Sequence, residues 1–237
     1  MFILEAGKNH FGKVAEANRI LKFFKSSSFT MLTFMCQSKL WYEKKLKLKK
    51  NFKLPEKFYT NIIKTLHRKN KKIGLSVCDA DTFNELKNIN FDFYKLLSIG
   101  INNNKLINQL KKTNKPIYIS TGYNASIKKI EKCLKSFENY KKLVLLHTPM
   151  VTDYNRLNFR RILLLRKKFK LEVGYSNHFN DVKTLYQLVT YDPKVIMLYI
   201  KTSRSNKINY PDNKHAINLN DLESLKKDYE NIKKCHI

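Results

Sequence analysis

The sequence predicts a single-domain (β/α)8 TIM barrel of parallel strands over residues 1–237. Short apolar runs alternate with longer amphipathic runs, and this alternation occurs eight times at about 30 residues per repeat. No change in composition marks a linker, and no stretch is left over for a second domain. An open, doubly wound sheet is the alternative architecture, but eight strands favour a closed barrel.

Each predicted strand is a short apolar run bounded by polar or turn-forming residues. In chain order the runs are Phe2–Ala6, Phe29–Met35, Ile73–Cys78, Phe93–Ser98, Pro116–Ser120, Leu143–His147, Leu171–Tyr175 and Val195–Ile200. Helical periodicity lies between them, and the predicted helices are Val14–Lys25, Pro55–Lys69, Thr82–Lys87, Lys105–Thr113, Ser126–Phe137, Leu157–Lys168 and Val182–Thr190. A last amphipathic segment, Leu219–Lys234, follows the eighth strand.

Composition limits the classes of protein that fit this sequence. No run of about 18 apolar residues occurs, so no membrane span is predicted, and the first residues lack the pattern of a secretory signal. The four cysteines are far apart and form no C-x-x-C pair, which indicates reduced thiols in a cytoplasmic protein. They are Cys36, Cys78, Cys133 and Cys235.

The formal charge of +28 would fit a protein that binds nucleic acid or an anionic surface. The lysines are spread along the chain, however, and Tyr42–Lys57 is the one dense basic block. No nucleic-acid-binding motif accompanies it. The charge is therefore interpreted as a solvated, lysine-rich surface, and binding of nucleic acid is not expected.

Active sites of such barrels lie at the carboxyl ends of the strands, where this sequence places polar residues. These are Glu5, Asn9 and His10 after strand one, Asp79 and Asp81 after strand three, Lys95 and Ser98 on strand four, Ser120, Thr121 and Gly122 at strand five, His147 at strand six, and Ser176, Asn177 and His178 at strand seven. We expect them to converge on one rim of the barrel.

Five segments in this order and spacing resemble the sialic acid synthase (N-acetylneuraminate synthase) family. They are EAGKNHFG, FDFYKLLSIGINNNKLI, KPIYISTG, LVLLHT and VGYSNHF, and the resemblance runs from Glu5 to about Leu222. It implies a barrel that condenses phosphoenolpyruvate with an N-acyl amino sugar in nonulosonic acid biosynthesis, using Mn²⁺ or Mg²⁺. It also implies a homodimer. Many members carry a small C-terminal antifreeze-like domain, and we expect this domain to be absent here.

The resemblance also implies roles for individual residues. Lys95, Ser98, Ser120 and Ser176 match phosphoenolpyruvate contacts, and Asp212 matches a sugar contact in a loop about two residues longer than usual. His178 matches a catalytic histidine that binds the metal, and Glu5 matches a catalytic acid. A lysine can neutralise a phosphate, hydroxyls can bind an anion, and imidazole is a common metal ligand. Each of these residues also has an ordinary structural alternative, as a surface lysine, a turn residue or a paired acid.

Several family residues are replaced at positions that carry chemistry. Tyr199 stands for the second metal-binding histidine and Met197 for an acid two positions before it. Thr33–Met35 replaces a segment with a phosphate-binding lysine, and Gly100 replaces an acid. A neutral tyrosine is a poor ligand for a divalent ion, so the predicted metal site is weakened, with His215 as a substitute ligand. Tyr154 could take up sugar binding by a shift in sequence.

Three functions stay open at this point. The first is a divergent synthase, and the second is a catalytically impaired descendant (a pseudoenzyme) that binds a sugar, an anion or a partner protein. The third, supported by charge alone, is a basic barrel that binds nucleic acid.

Overall fold

Eight parallel strands close into a barrel, and this confirms the predicted (β/α)8 fold. In the computed structural model, which describes residues 1–37, 52–122, 125–205 and 207–236, the strands follow one another in chain order and the first pairs with the eighth. Residues 42–51 of the basic block Tyr42–Lys57 lie outside the described residues. No described helix is long and apolar enough to cross a membrane.

The strands agree with the predicted runs to within a few residues at each end. They are β1 (Phe2–Glu5), β2 (Met31–Met35), β3 (Lys72–Val77), β4 (Phe93–Leu96), β5 (Ile117–Ser120), β6 (Leu143–His147), β7 (Glu172–Ser176) and β8 (Ile196–Lys201). Strand two begins at Met31 rather than Phe29, because the Phe29 carbonyl accepts a 2.6 Å hydrogen bond from the Lys71 ammonium instead of a neighbouring strand. An apolar run in the sequence indicates buried residues, and Phe29 is buried although it lies outside the hydrogen-bonded strand.

Seven α-helices lie among the described residues. They are α1 (Val14–Ser26), α2 (Glu56–His67), α3 (Ala80–Leu86), α4 (Asn104–Lys112), α5 (Ile127–Ser136), α6 (Arg160–Phe169) and α7 (Leu222–Lys234). The predicted helix Val182–Thr190 is present, but as a 3-10 helix, Val182–Tyr191, rather than an α-helix. Its β-branched Val182, Thr184 and Val189 favour an α-helix only weakly.

A ninth, two-residue strand was not predicted. β9 (Ile217–Asn218) pairs in parallel with the end of β8, so it fixes the loop between them at the carboxyl end of the barrel. This loop carries Asp212 and His215. The sequence predicted only a loop at Asp212, whereas the structure attaches the far end of this loop to the sheet.

The interior of the barrel is filled with side chains. Ile3, Met31, Phe93, Tyr118, Leu146, Val195 and Met197 form one buried cluster. Gly74 is needed where the Phe93 ring crosses this space, since a Cβ on Gly74 would lie 2.2 Å from that ring. A second cluster above it includes Met35, Leu97 and Tyr199 and forms the floor on which the polar residues sit.

Candidate active site

A cavity of about 170 Å³ opens at the carboxyl ends of the strands. Six of the residues named from sequence line it, namely Lys95, Ser98, Ser120, His178, Asp212 and the substitute ligand His215. Lys8, Gln37, Met150 and Tyr199 are among the other lining residues. The structure therefore brings together predicted residues from β4, β5, β7 and the β8–β9 loop.

A buried ion pair forms the base of this cavity. The Lys95 ammonium lies 3.4 Å from Oε2 of Glu5 and 3.3 Å from the Ser176 hydroxyl, and Lys95 and Glu5 are at most 1% exposed. The Ser76 hydroxyl donates to Oε2 of Glu5 at 2.7 Å and the Gly7 amide donates to Oε1 at 3.1 Å. Three predicted residues, Glu5, Lys95 and Ser176, thus form one connected group.

Burial moves the two members of this pair in opposite directions. It raises the pKa of the Glu5 carboxyl and lowers the pKa of the Lys95 ammonium, while their mutual attraction opposes both shifts. Both contacts of the lysine are long, so the ammonium is incompletely paired in the cavity floor. An anion entering the cavity would supply further negative charge to Lys95.

Three hydroxyl groups form a chain along one wall. Ser98 Oγ lies 3.3 Å from Ser120 Oγ, which lies 2.9 Å from Oγ1 of Thr148, and Thr148 donates to the Leu146 carbonyl at 3.0 Å. Gly122 packs against this chain, because a Cβ there would lie 2.7 Å from Ser98 Oγ. Sequence reasoning missed Thr148, although its place directly after the strand-six histidine was a usable signal.

Three aromatic rings lie together on the opposite side of the cavity. The ring centres of His178 and His215 are 4.8 Å apart, and Tyr199 lies 4.9 Å from the first and 4.6 Å from the second. Burial lowers the pKa of His178 well below its ordinary value, with a further contribution from His215, and burial also lowers the pKa of His215. Both imidazoles are therefore neutral near pH 7.

Asp212 is held by the turn after β1. Its Oδ2 accepts a hydrogen bond from the Lys8 amide at 3.1 Å, and its own amide donates to Oδ1 of Asn9 at 3.0 Å. Asn9 in turn donates to the Ile200 carbonyl at 2.8 Å. Gly7 makes this approach feasible, since its φ is +53° and a Cβ would lie 2.5 Å from Oδ2 of Asp212. The turn and the β8–β9 loop thus form one hydrogen-bonded unit.

Other polar strand-end residues have structural roles. His147 is buried with Nε2 2.8 Å from the Leu157 carbonyl, and the Asn177 amide bonds to the backbone of Phe179. Asp79 caps α3 by accepting from the Thr82 amide at 2.8 Å. Tyr154 is exposed and donates to Asp181, and it does not line the cavity.

Acid is expected to destabilise the protein between about pH 6.5 and 4, partly through His147. Burial lowers the pKa of His147 to about 4, so in this range the unfolded chain binds a proton that the native protein does not. As the pH falls through this range, the free energy of unfolding should decrease by up to about 1.4 kcal/mol per pH unit because of His147. Above pH 6.5 the stabilising effect of its neutral form is fully present.

Urea unfolding at several pH values checks this expectation. His147→Gln should give a shallower pH dependence than the wild type, whereas the half-exposed His67 gives the matched control His67→Gln. Parallel curves for the wild type and His147→Gln would contradict the assignment.

The donors of the cavity suit a metal ion only in part. The described residues contain no cluster of three His, Cys, Asp or Glu side chains placed to hold an ion. Met197 packs into the barrel interior, so β8 supplies no acid there. The Nε2 atom of His215 is nevertheless buried and finds no hydrogen-bond partner among the described residues. Two imidazoles therefore fit an ion whose remaining ligands are water or substrate oxygens.

A second, more open cavity adjoins the first. It has a volume of about 650 Å³, and its lining includes Met150, His178 and His215, which also line the first cavity. Val151, Thr152, Asn180 and Lys214 complete the lining. The two cavities together offer space for two ligands that meet beside the imidazoles.

Comparison with known proteins gives matches over most of this chain. The NeuB family model matches residues 18–236. The chain is 25% identical to N,N'-diacetyllegionaminic acid synthase of Campylobacter jejuni, over 99% of this chain and 77% of that protein. It is 23% identical to pseudaminic acid synthase of the same species, over 81% of this chain and 57% of that protein. It thus spans little more than half the length of the second relative.

Solved structures show the same fold. N-acetylneuraminic acid (sialic acid) synthetase from Leptospira borgpetersenii superposes with a TM-score of 0.89 at 22% identity, over 99% of this chain and 84% of that one. A spore coat polysaccharide biosynthesis protein of Bacillus subtilis gives a TM-score of 0.82 at 19% identity, over 99% and 68% of the two chains. At these identities the likeness concerns the barrel itself.

Proposed function

This chain belongs to the NeuB family, and on that basis we propose that it is a nonulosonic acid synthase. It would condense phosphoenolpyruvate with an N-acyl amino sugar, the activity that its motifs imply. The relatives are named as synthases of legionaminic and pseudaminic acid. In the overall reaction, the enol carbon of phosphoenolpyruvate adds to the aldehyde carbon of the sugar. Water is consumed, and a 2-keto acid and inorganic phosphate are released.

The single observation that carries this proposal is the position of Lys95. It is a buried lysine at the end of β4 whose ammonium lies in the floor of the cavity, next to the hydroxyl of Ser176. Ser98 and Ser120 line the same cavity from β4 and β5. A cation and hydroxyl donors in a water-poor pocket are suited to the carboxylate and phosphate of phosphoenolpyruvate.

Glu5 would act through Lys95. It is fully buried beside the Lys95 ammonium and is not among the described residues that line the cavity, so we assign it to positioning that cation. Burial raises the pKa of its carboxyl, which suits a group that can hold a proton while Lys95 turns towards an anion. The role of a catalytic acid, implied by the family resemblance, stays a prediction.

The sugar would occupy the outer cavity and approach Asp212 and the imidazoles. Asp212 is oriented by Lys8 and Asn9, so its carboxylate has a fixed direction for a sugar hydroxyl. A divalent ion bound at His178 would polarise the aldehyde oxygen of the sugar.

The cytoplasmic location and the homodimer that the sequence predicts also stay predictions.

A catalytically impaired descendant is the second candidate. One observation favours it: at β2 and β8 the replaced positions bring no charge to the cavity. Thr33 forms a buried hydrogen bond to Ser76, while Met35 and Tyr199 line the cavity. Such a protein would bind an anion or a sugar without turnover.

Turnover measured with substrates separates the two candidates. The purified protein is supplied with phosphoenolpyruvate, Mn²⁺ or Co²⁺, and a panel of mono- and di-N-acyl amino sugars, and inorganic phosphate and 2-keto acid are quantified. Sugar-dependent release of both products is expected, with KM for phosphoenolpyruvate raised about tenfold in Ser120→Ala, since a lost hydrogen bond to a charged group costs about 1.5 kcal/mol or more. Ser136→Ala, at a partly exposed serine at the end of α5 and outside the lining of the cavity, serves as the control.

Two contrary outcomes have different meanings. Binding of phosphoenolpyruvate without product from any sugar would overturn the synthase assignment in favour of the second candidate. Absence of phosphoenolpyruvate binding would overturn the assignment of the inner cavity as an anion site, which both candidates use.

A further inference from the structure

We propose that His178 and His215 together bind one divalent transition-metal ion, with His215 supplying the second protein ligand from the β8–β9 loop. The proposal deepens the proposed function, on which it rests only for the identity of the cavity. Neither β8 nor a carboxylate takes part in this site. The site would select ions that prefer nitrogen ligands, such as Co²⁺, Ni²⁺ or Zn²⁺, over Mg²⁺.

The separation of the two rings fits a shared ion. Two imidazoles whose nitrogens each lie about 2.1 Å from one ion have ring centres about 4.5–5.2 Å apart, for ligand angles of roughly 90–109°. The ring centres of His178 and His215 lie 4.8 Å apart. The planes of the two rings are tilted by 38° to each other and are not stacked in parallel. Two imidazoles that bind one ion can have such a tilt.

The nitrogen atoms needed for coordination are free to take part. Nδ1 of His178 lies 3.2 Å from the Ser176 carbonyl, and with the ring proton assigned to Nδ1, Nε2 carries the lone pair. A backbone carbonyl on the opposite ring nitrogen is a common support for a metal-binding histidine. Nε2 of His215 is buried without a hydrogen-bond partner among the residues that the structure describes. A buried ring nitrogen in this state is costly unless a ligand satisfies it.

His215 is held in place rather than placed on a free loop. Its amide donates to the Asp212 carbonyl at 3.3 Å, and the next residue, Ala216, donates to the same carbonyl at 3.1 Å. Strand β9 begins at Ile217, so the backbone is fixed immediately after the histidine. The Tyr199 ring lies edge-on to His215 at 89° and contacts both imidazoles, which restricts their rotation.

The charges around the rings favour a site with few protein ligands. Among the described residues no third His, Cys, Asp or Glu completes a cluster, so at least two coordination positions face the cavity. Lys95 also lies close enough to influence both histidines electrostatically. Its positive charge opposes cation binding, and anionic phosphoenolpyruvate beside it would offset this opposition.

Metal binding without substrate tests the proposal. Full-length protein freed of metal with a chelator is titrated with Co²⁺, followed by calorimetry and by the visible absorption of the bound ion. We expect one Co²⁺ per chain in the wild type and at least about tenfold weaker binding in His178→Asn and in His215→Asn. His67→Asn, at a half-exposed histidine paired with Asp92, should bind as the wild type does. Mg²⁺ should give no detectable binding.

A variant that adds a ligand tests the geometry when removal perturbs folding. The Tyr199 ring lies 4.9 Å from His178 and 4.6 Å from His215, so Tyr199→His places a third imidazole at a comparable separation. Binding of Co²⁺ should become at least about tenfold tighter. Circular dichroism and thermal unfolding monitor the fold of every variant.

Several results would overturn the proposal. Wild-type affinity in His215→Asn, equal affinity for Mg²⁺ and Co²⁺, or no gain in Tyr199→His would each do so. Because no substrate is present, these results leave the synthase assignment standing, and an inactive protein that binds Co²⁺ through both histidines would support the site alone.

Discussion

Lys95→Met is expected to lower kcat/KM for phosphoenolpyruvate by about 10²- to 10³-fold. The ammonium is the cation that the structure places in the floor of the cavity. A fixed polar contact to a substrate in a water-poor site is worth about 3–4 kcal/mol, and each 1.4 kcal/mol corresponds to about a tenfold change in rate. Methionine has a similar length but carries no charge.

The same substitution leaves the Glu5 carboxyl buried without its cation. Removing one member of a buried ion pair costs about 3–5 kcal/mol when the remaining group stays charged. Burial already raises the pKa of Glu5, so uptake of a proton should reduce this cost. The double variant with Glu5→Gln and Lys95→Met should therefore recover stability relative to Lys95→Met, without recovering turnover.

Phosphate release and urea unfolding measured on the same samples separate the two effects. Lys71→Met is the matched control, since Lys71 is another buried lysine, at the opposite end of the barrel, whose ammonium donates to the carbonyls of Ser27 and Phe29 at 2.6 Å. This control should lose stability but keep its kcat/KM. If Lys95→Met kept kcat/KM within a few-fold of the wild type, Lys95 would not contact the anion.

Gly7→Ala is expected to disturb the proposed sugar side of the cavity more than the anion side. The backbone of Gly7 has φ of +53°, which costs alanine about 1–2 kcal/mol. A Cβ would also lie 2.5 Å from Oδ2 of Asp212 and 3.0 Å from the Tyr199 ring. Asp212 must then move and give up its hydrogen bond from the Lys8 amide. KM for the sugar should rise about 10- to 100-fold if this contact is worth about 1.5–3 kcal/mol.

A double-mutant cycle attributes this effect to one contact. Asp212→Ala removes the atom that the new methyl group meets, so its cost and that of Gly7→Ala should be strongly non-additive. Affinity for phosphoenolpyruvate, measured without sugar, should fall less than affinity for the sugar, because Ser98 and Ser120 lie elsewhere on the rim and alanine keeps the residue-7 amide that donates to Glu5. Additive effects, or an equal loss of phosphoenolpyruvate affinity, would speak against the proposed contact.

The barrel and much of its inner cavity could be predicted from the sequence, because the patterns that indicate them lie within short stretches of the chain. Buried strands are short apolar runs, and Lys95, Ser98, Ser120 and His178 lie within or directly beside such runs. The position of a strand then fixes the position of these side chains.

Features that depend on distant contacts could not be predicted. The sequence offered His215 only as a substitute ligand, and its attachment to the sheet depends on β9, a strand of only two residues whose pairing leaves no recognisable pattern. The placement of Glu5 behind Lys95 depends on how side chains fill the closed barrel. The 3-10 geometry of Val182–Tyr191 similarly reflects packing rather than hydrophobic period.

The hydrogen bond between Asn9 and Asp212 joins residues 203 positions apart, across the seam where β1 meets β8. Such a contact closes a loop that contains most of the barrel, and its entropic cost is repaid only after the intervening strands have assembled. A folding intermediate that lacks this closure can contain most of the barrel yet lack the proposed sugar-binding surface. In refolding experiments, ligand binding at Asp212 should therefore return with the slowest phase, later than secondary structure.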